Sequence, residues 1–279
     1  MRRSGAIVAL LDHPRYEVLP TPSAEELVVA SVPRDVTITV TSSPAKGLEA
    51  TIDLTERLTK AGYRVVPHVA ARQVVDTAQL AEVVARLVAV GVSDLFVPAG
   101  DNASPAGEFP GAYELLRALD DLGRPFEHLG ITAYPESHRA ISDDVTVQAM
   151  WDKRHHATYM VSNLCFNPAT VRHWVRRVRE RGVTLPLYFG LAGPVEQAKL
   201  VRIATKIGVG ESTRFASGHA RSVLRLGTPG AYNPTRLLEK TAAVLSDPAS
   251  HVAGVHVFTF NQVAETEAWR QGLLAHSGS

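Results

Sequence analysis

Short runs rich in β-branched and aromatic residues alternate along the chain with longer stretches whose apolar residues recur every three or four positions. The short runs are "YEVLP" (16–20), "VTITV" (36–40), "YRVVPHVA" (63–70), "DLFVPAG" (94–100), "HLGITAY" (128–134), "TYMVSNLCF" (158–166), "LPLYFGLAG" (185–193) and "GVHVFTFN" (254–261). Each has the length and composition of a buried strand. Helical spacing is present in "GLEATIDLTERLTKAG" (47–62), "TAQLAEVVARLVAVG" (77–91), "GAYELLRALDDLG" (111–123), "PATVRHWVRRVRERG" (168–182) and "PVEQAKLVRIATKIG" (194–208). Gly62, Gly91, Gly123, Gly182 and Gly208 stand where those helices should stop. The long connection from 209 to 252 is expected to hold a further helix in "NPTRLLEKTAAVLSD".

Eight strands alternating with helices over 279 residues have the size and rhythm of an α/β fold of the (β/α)8 TIM-barrel type. No Pro/Gly/Ser-rich linker and no internal repeat divides the chain, so a single catalytic domain over 1–279 is expected. A doubly wound dinucleotide-binding sheet would carry G-x-G-x-x-G after an early strand; "GVGEST" (208–213) lacks the third glycine and comes late.

Composition narrows the function classes. Net charge is +1 with no long run of either sign, which gives no electrostatic footprint for nucleic acid. The lone Cys165 rules out an internal disulfide framework and a multi-cysteine metal site and points to a reducing compartment. The opening "MRRSGAIVALLDHPR" echoes a secretory signal, but Asp12, His13 and Arg15 cut its apolar run short, and no membrane-length apolar stretch follows. The expectation is a cytoplasmic protein with no membrane partner.

In such barrels the chemistry gathers at the C-terminal ends of the strands. Glu17 is the anomaly: a carboxylate in the middle of an apolar strand must face water at an edge or face a site. Thr41 and Ser42 follow the second strand, His68 ends the third, and Asp101 and Asn102 follow the fourth. Tyr134, Glu136 and His138 follow the fifth, Ser162 and Asn163 lie in the sixth, and Asn261 and Gln262 end the eighth. Several have ordinary explanations. Gly-Asp-Asn at 100–102 is good turn chemistry, His68 in "VVPHVA" reads as a hydrogen-bonded core histidine, and "RHH" (154–156) as a solvated helix end. His68, Asp101, Glu136 and His138 show no helical ligand pair, so no metal is expected.

The ordered motifs "YEVLPTPS", "VVPHVA", "FVPAGD", "ITAYPESH", "SNLCFN", "FGLAGPVEQAKL" and "VHVFTFNQVAET" resemble, collinearly over nearly the whole chain, those of the methylenetetrahydrofolate reductases. Where that family usually has an arginine before Gly-Asp this chain has Ala99, its threonine-glutamine pair is Ser162-Asn163, and its flavin-side L-x-x-K-x-x-A-G-A stretch is "AMWDKRHHA". The chain is therefore most similar to the flavin-independent, actinobacterial type.

That resemblance implies reduction of 5,10-methylenetetrahydrofolate to 5-methyltetrahydrofolate with hydride taken directly from NADH, without FAD; NADPH is distinguished from NADH by one phosphate that no residue here reads visibly. It implies Glu17 as the acid that protonates N10 and opens the ring to an N5 iminium, a role suited to a carboxyl whose neutral form is favoured by apolar surroundings. Asp101 and Asn163 would hydrogen-bond the amino-pyrimidine edge and Phe215 would pack on a ring. Thr41, His68, Tyr134 and His138 would lie on the cofactor side. The alternatives are an FAD-dependent ping-pong reductase and a catalytically silent folate-binding barrel. An aldolase or lyase using a Schiff base would want a lysine on a strand, and none of the eight runs contains one. The apolar face of "AEVVARLVAVG" suits pairing into a homodimer.

Overall fold

The computed structural model describes residues 3–136, 143–196, 199–200 and 231–277. The barrel strands are β1 (Arg15–Val18), β2 (Thr37–Val40), β3 (Val65–Pro67), β4 (Asp94–Val97), β5 (His128–Ala133), β6 (Tyr159–Ser162), β7 (Leu187–Ala192) and β10 (Val252–Phe258). They form one eight-stranded sheet in the order β3-β2-β1-β10-β7-β6-β5-β4, and the neighbouring pairs run parallel. A parallel bridge between His68 and Phe96 joins its two ends. There the His68 amide donates to the Val40 carbonyl on one side and the Val69 amide to the Phe96 carbonyl on the other, both at 2.9 Å. The chain is thus a (β/α)8 TIM barrel, as its rhythm predicts.

Helices α3 (Gly47–Lys60), α4 (Thr77–Ala89), α5 (Ala112–Asp121), α7 (Pro168–Glu180) and α8 (Thr235–Leu245) fall on the predicted stretches. Their apolar stripes (Leu48, Ile52 and Leu58 on α3; Leu80, Val83 and Leu87 on α4) are buried, which is what stabilises helices of this length. The residues past α3, α4, α5 and α7 are Gly62, Gly91, Gly123 and Gly182, with φ between 79° and 88°, the left-handed turn that ends a helix cheaply only at glycine. Gly208 lies outside the described residues.

Four helices are not legible from the pattern: α1 (Arg3–Leu11), α2 (Ala24–Ser31), α6 (Asp143–Lys153) and α9 (Val263–Ser277). The stretch that echoes a signal peptide is α1, which buries Ala6, Ile7, Leu10 and Leu11. Of the stretch expected to be helical from 194, Val195–Glu196 form instead a two-residue strand, β8, paired antiparallel with β9 (Ala231–Tyr232); residues 199–200 are helical, and 201–208 lie outside the described residues. The turn at 154–156 does end α6, but His156 is not left to solvent: its Nδ1 lies 2.5 Å from Asp120 of α5. Among the described residues, no helix is long and apolar enough to cross a membrane.

Candidate active site

Successive residues of a strand point to opposite faces, and β1 shows this with polar groups on both. Arg15 faces the lumen, where its Nη2 lies 2.9 Å from Asp94 Oδ2 and its guanidinium stacks on Tyr159 and Tyr188, 4.3 and 3.8 Å from their ring centres. Tyr16 points outward and donates its hydroxyl to Glu267 of α9 at 2.8 Å. Glu17 faces the lumen again, so the strand aims the carboxylate inward and not at an edge.

The lumen is layered. Its lower layer is the Arg15 and Asp94 pair, with the Tyr159 hydroxyl donating to Asp94 at 2.6 Å. Burial opposes the Arg15 charge, but the fields of Tyr159, Asp94 and Tyr188 outweigh it, and the guanidinium pKa moves up. The layer above holds Glu17. Its Oε2 lies 3.1 Å from His256 Nε2 and 4.0 Å from His68 Nε2. His256 is 1% exposed in its side chain and Glu17 17%, so the carboxylate sits at the boundary between packed interior and open mouth. Phe96 lies against His68, ring centres 4.6 Å apart, and Phe258 against His256 at 4.8 Å. The surroundings of Glu17, expected to be apolar, thus consist largely of a pair of imidazoles. His256 is not singled out by the sequence, although its inward position follows from alternation with Gly254 and Phe258 along one strand.

His68 is the buried core histidine that the sequence suggests, but its Nε2, 4.0 Å from Glu17, makes no hydrogen bond among the described residues. Burial lowers its pKa to about 4, against the pull of Glu17 and with the help of His256 and Arg15. The ring is therefore neutral at physiological pH.

The end of β10 is shaped around β1. Phe260 and Asn261 both have left-handed backbones, φ 53° and 62°, which turns Asn261 back onto the residues after Glu17. Its Oδ1 accepts from the Leu19 amide at 2.7 Å, and its Nδ2 donates to the Leu19 carbonyl at 3.2 Å and to Thr21 Oγ1 at 3.0 Å. Thr259 donates its hydroxyl to the Glu17 carbonyl at 2.6 Å. These bonds explain why β1 stops at Val18, short of the predicted Pro20: the Leu19 amide is taken by a side chain instead of a neighbouring strand. Lys199 Nζ donates to the Phe260 carbonyl at 3.1 Å, placing a cation at the same rim.

The other predicted residues follow strands at that rim. The Thr41 amide donates to the Val18 carbonyl at 2.9 Å, and the Asn163 amide to the Ala133 carbonyl at 2.8 Å. Asn163 Oδ1 is used by the Leu164 amide at 2.8 Å. Asp101 is exposed in the loop after β4, near enough to Tyr134 to reinforce the upward push that burial gives the Tyr134 hydroxyl, which a hydrogen bond with Thr132 opposes. Glu136 is buried and accepts from the Phe166 amide at 3.4 Å. Gln73 Nε2 and Asn102 Oδ1, a buried donor and a buried acceptor in the loops after β3 and β4, have no partner among the described residues. His138 and Phe215 lie outside the described residues. Among the described residues no group of three or more His, Cys, Asp or Glu is arranged to hold a metal ion.

A cleft of about 660 Å³ opens at the opposite end of the barrel, lined by His13, Arg15, Tyr63, Asp94 and His128 among others. Its floor is the paired Arg15 and Asp94, and in barrels of this kind that face serves stability while catalysis uses the other.

No protein-family model matches the chain. Solved structures match over nearly all of it. A candidate lyase/mutase from Burkholderia cenocepacia J2315 is 14% identical, with 98% of this chain and 84% of that chain covered and a TM-score of 0.50. A candidate phosphonomutase from the same organism is 13% identical over 99% and 100%, with a TM-score of 0.47. A Yersinia pestis DHPS bound to a pterine-sulfa conjugate is 13% identical over 96% and 94%, with a TM-score of 0.45. The likeness to the first of these, at a TM-score of 0.50, shows the fold alone.

Proposed function

We propose that this barrel reduces 5,10-methylenetetrahydrofolate to 5-methyltetrahydrofolate with hydride taken directly from NADH, without a flavin. The collinear motif resemblance suggests the reaction. The observation that carries it is Glu17: a carboxyl aimed into the lumen at the catalytic end of the barrel, held through Oε2 by His256 at 3.1 Å. Its Oε1 makes no hydrogen bond to another described residue.

The substrate carbon, bridged between N5 and N10, is a poor hydride acceptor until N10 is protonated and the ring opens. Glu17 gives that proton from Oε1, the carboxyl oxygen without a hydrogen bond among the described residues. The neutral His68 at 4.0 Å adds apolar bulk beside the reacting centre without a competing positive charge. Asp101 would accept from the amino-pyrimidine edge, and Asn163, with Oδ1 engaged by its own loop, would offer its NH2 group. NADH, when bound, supplies the hydride. The buried Gln73 donor and Asn102 acceptor fit what a carboxamide requires, and with Thr41 and Tyr134 they would make up the dinucleotide side of the mouth.

Glu17→Gln tests the reading. The variant should keep the wild-type circular dichroism spectrum and melting temperature within a few degrees and lose roughly 10²-fold or more in turnover, the scale of a lost general acid. Near-normal turnover would remove Glu17 from the mechanism.

A further inference from the structure

We infer that His256 is a positioning residue whose Nε2–H grips Glu17 Oε2 in both the acid and the carboxylate state, leaving Oε1 as the oxygen that surrenders its proton. The inference rests on the reading of Glu17 as the acid.

The tautomer follows from what each ring nitrogen meets. His256 Nε2 lies 3.1 Å from Glu17 Oε2, while the buried Nδ1 has no partner among the described residues. A proton on Nδ1 would strand a buried donor, which costs its full desolvation. A proton on Nε2 is received by the carboxyl, and the bare Nδ1 is a lone acceptor. An imidazolium would strand Nδ1–H as well. Among the described residues, the charged and titratable groups around the ring are Glu17 and Arg15 on β1 and His68 just past β3, whose ring lies 6.3 Å away in a stacked arrangement. Arg15 is committed to Asp94, and His68 stays neutral because burial holds its pKa near 4. Glu17 is therefore the ionisable partner that His256 serves.

The chemical consequence is differential. A hydrogen bond to a carboxylate is stronger than one to the corresponding acid, so the His256 contact tightens as the proton leaves Oε1. In that step the Oε1–H bond breaks, the N10–H bond forms, and the ring C–N10 bond opens with its electron pair going to N10. His256 keeps its own proton throughout, and Glu17 is later reprotonated from solvent. An interaction that strengthens along the reaction raises kcat more than it lowers KM.

Two measurements test this. Long-range 15N–1H spectra of the ligand-free protein should show the proton of His256 on Nε2, with that resonance moved by Glu17→Gln. A ring with its proton on Nδ1 and none on Nε2 overturns the inference whatever the protein's reaction is. In steady-state kinetics His256→Leu should lower kcat roughly 10- to 100-fold, the value of a hydrogen bond to a charged group, with the folate KM changed by less than about 3-fold. His256→Gln, which keeps an N–H donor, should recover most of that loss; equal loss in both variants overturns the donor role. If wild-type protein forms no methyltetrahydrofolate, the proposed reaction fails, and the spectra alone decide the His256–Glu17 pairing.

Discussion

Arg15 and Glu17 stand two residues apart on one strand and face the same lumen, yet Arg15 is locked to Asp94 at 2.9 Å while Glu17 meets two imidazole nitrogens at 3.1 and 4.0 Å. The difference is one of layer. Arg15 lies in the lower layer, on the floor of the cleft at that end and nearly buried, where an unpaired charge is costly, and Glu17 lies in the layer above, at the opposite mouth.

The lower pair should behave as structure. Asp94→Ala leaves the Arg15 guanidinium buried without its counter-ion, and the loss of one partner of a buried pair costs about 3–5 kcal/mol. Urea denaturation should report that loss. Tyr159→Phe, which removes one hydrogen bond to Asp94, should cost about 1 to 2 kcal/mol. A silent Asp94→Ala would mean that the pair contributes nothing to the fold.

His68 gives the stability curve a pH dependence. Its folded pKa of about 4 lies below the ordinary 6.5, so the unfolded chain binds this proton more readily. The contribution is complete above about pH 6.5 and is lost as pH falls toward 4, on the order of 3 kcal/mol in all. His68→Gln should flatten the difference in unfolding free energy measured at pH 7 and pH 4.5. An unchanged difference would show that His68 is not the group responsible.

Asn261 is expected to hold Glu17 in place from outside the site. Asn261→Ala removes three hydrogen bonds and puts an ordinary residue at φ 62°, at a cost of about 2–4 kcal/mol. Asn261→Gly relieves the backbone but not the bonds, so it should recover only some of the thermal stability. Recovery to the wild-type melting temperature would show that the conformation matters and the side chain does not.

Close strand packing makes one glycine indispensable. A Cβ on Gly190 would sit 2.0 Å from the Ser162 carbonyl oxygen, between β6 and β7, where the Gly190 amide donates to Ser162 Oγ. Gly190→Ala should destabilise by about 3 kcal/mol or leave the protein insoluble, whereas Gly272→Ala, with nothing within 4 Å, should melt close to the wild type.

The barrel is legible because strand composition, helical period and glycine stops agree along most of the chain. Where they disagree, elements are lost. The eight residues of α2 span barely two turns, too few to establish a period, and α6 mixes Val145, Thr146 and Val147 into a helix. The strand Val195–Glu196 is set by pairing with Ala231–Tyr232 far along the chain, which no local pattern encodes. Within the site, Glu17 stands out as a charge in an apolar strand. His256 does not, because histidine among Val255, Val257 and Phe258 passes for a core residue until strand alternation sets it beside Glu17. The partners of Asn261 depend on two successive left-handed residues, and neither is a glycine.

The most direct test of the account is the purified protein's absorbance from 300 to 550 nm, followed by turnover of 4-deuterated NADH with methylenetetrahydrofolate. The account predicts a spectrum without a flavin band, before or after incubation with FAD and removal of the excess, and one deuterium in the methyl group of the product. A flavin band that tracks activity would establish the ping-pong mechanism instead, and a protein that binds folate but transfers no deuterium would contradict the reductase reading altogether.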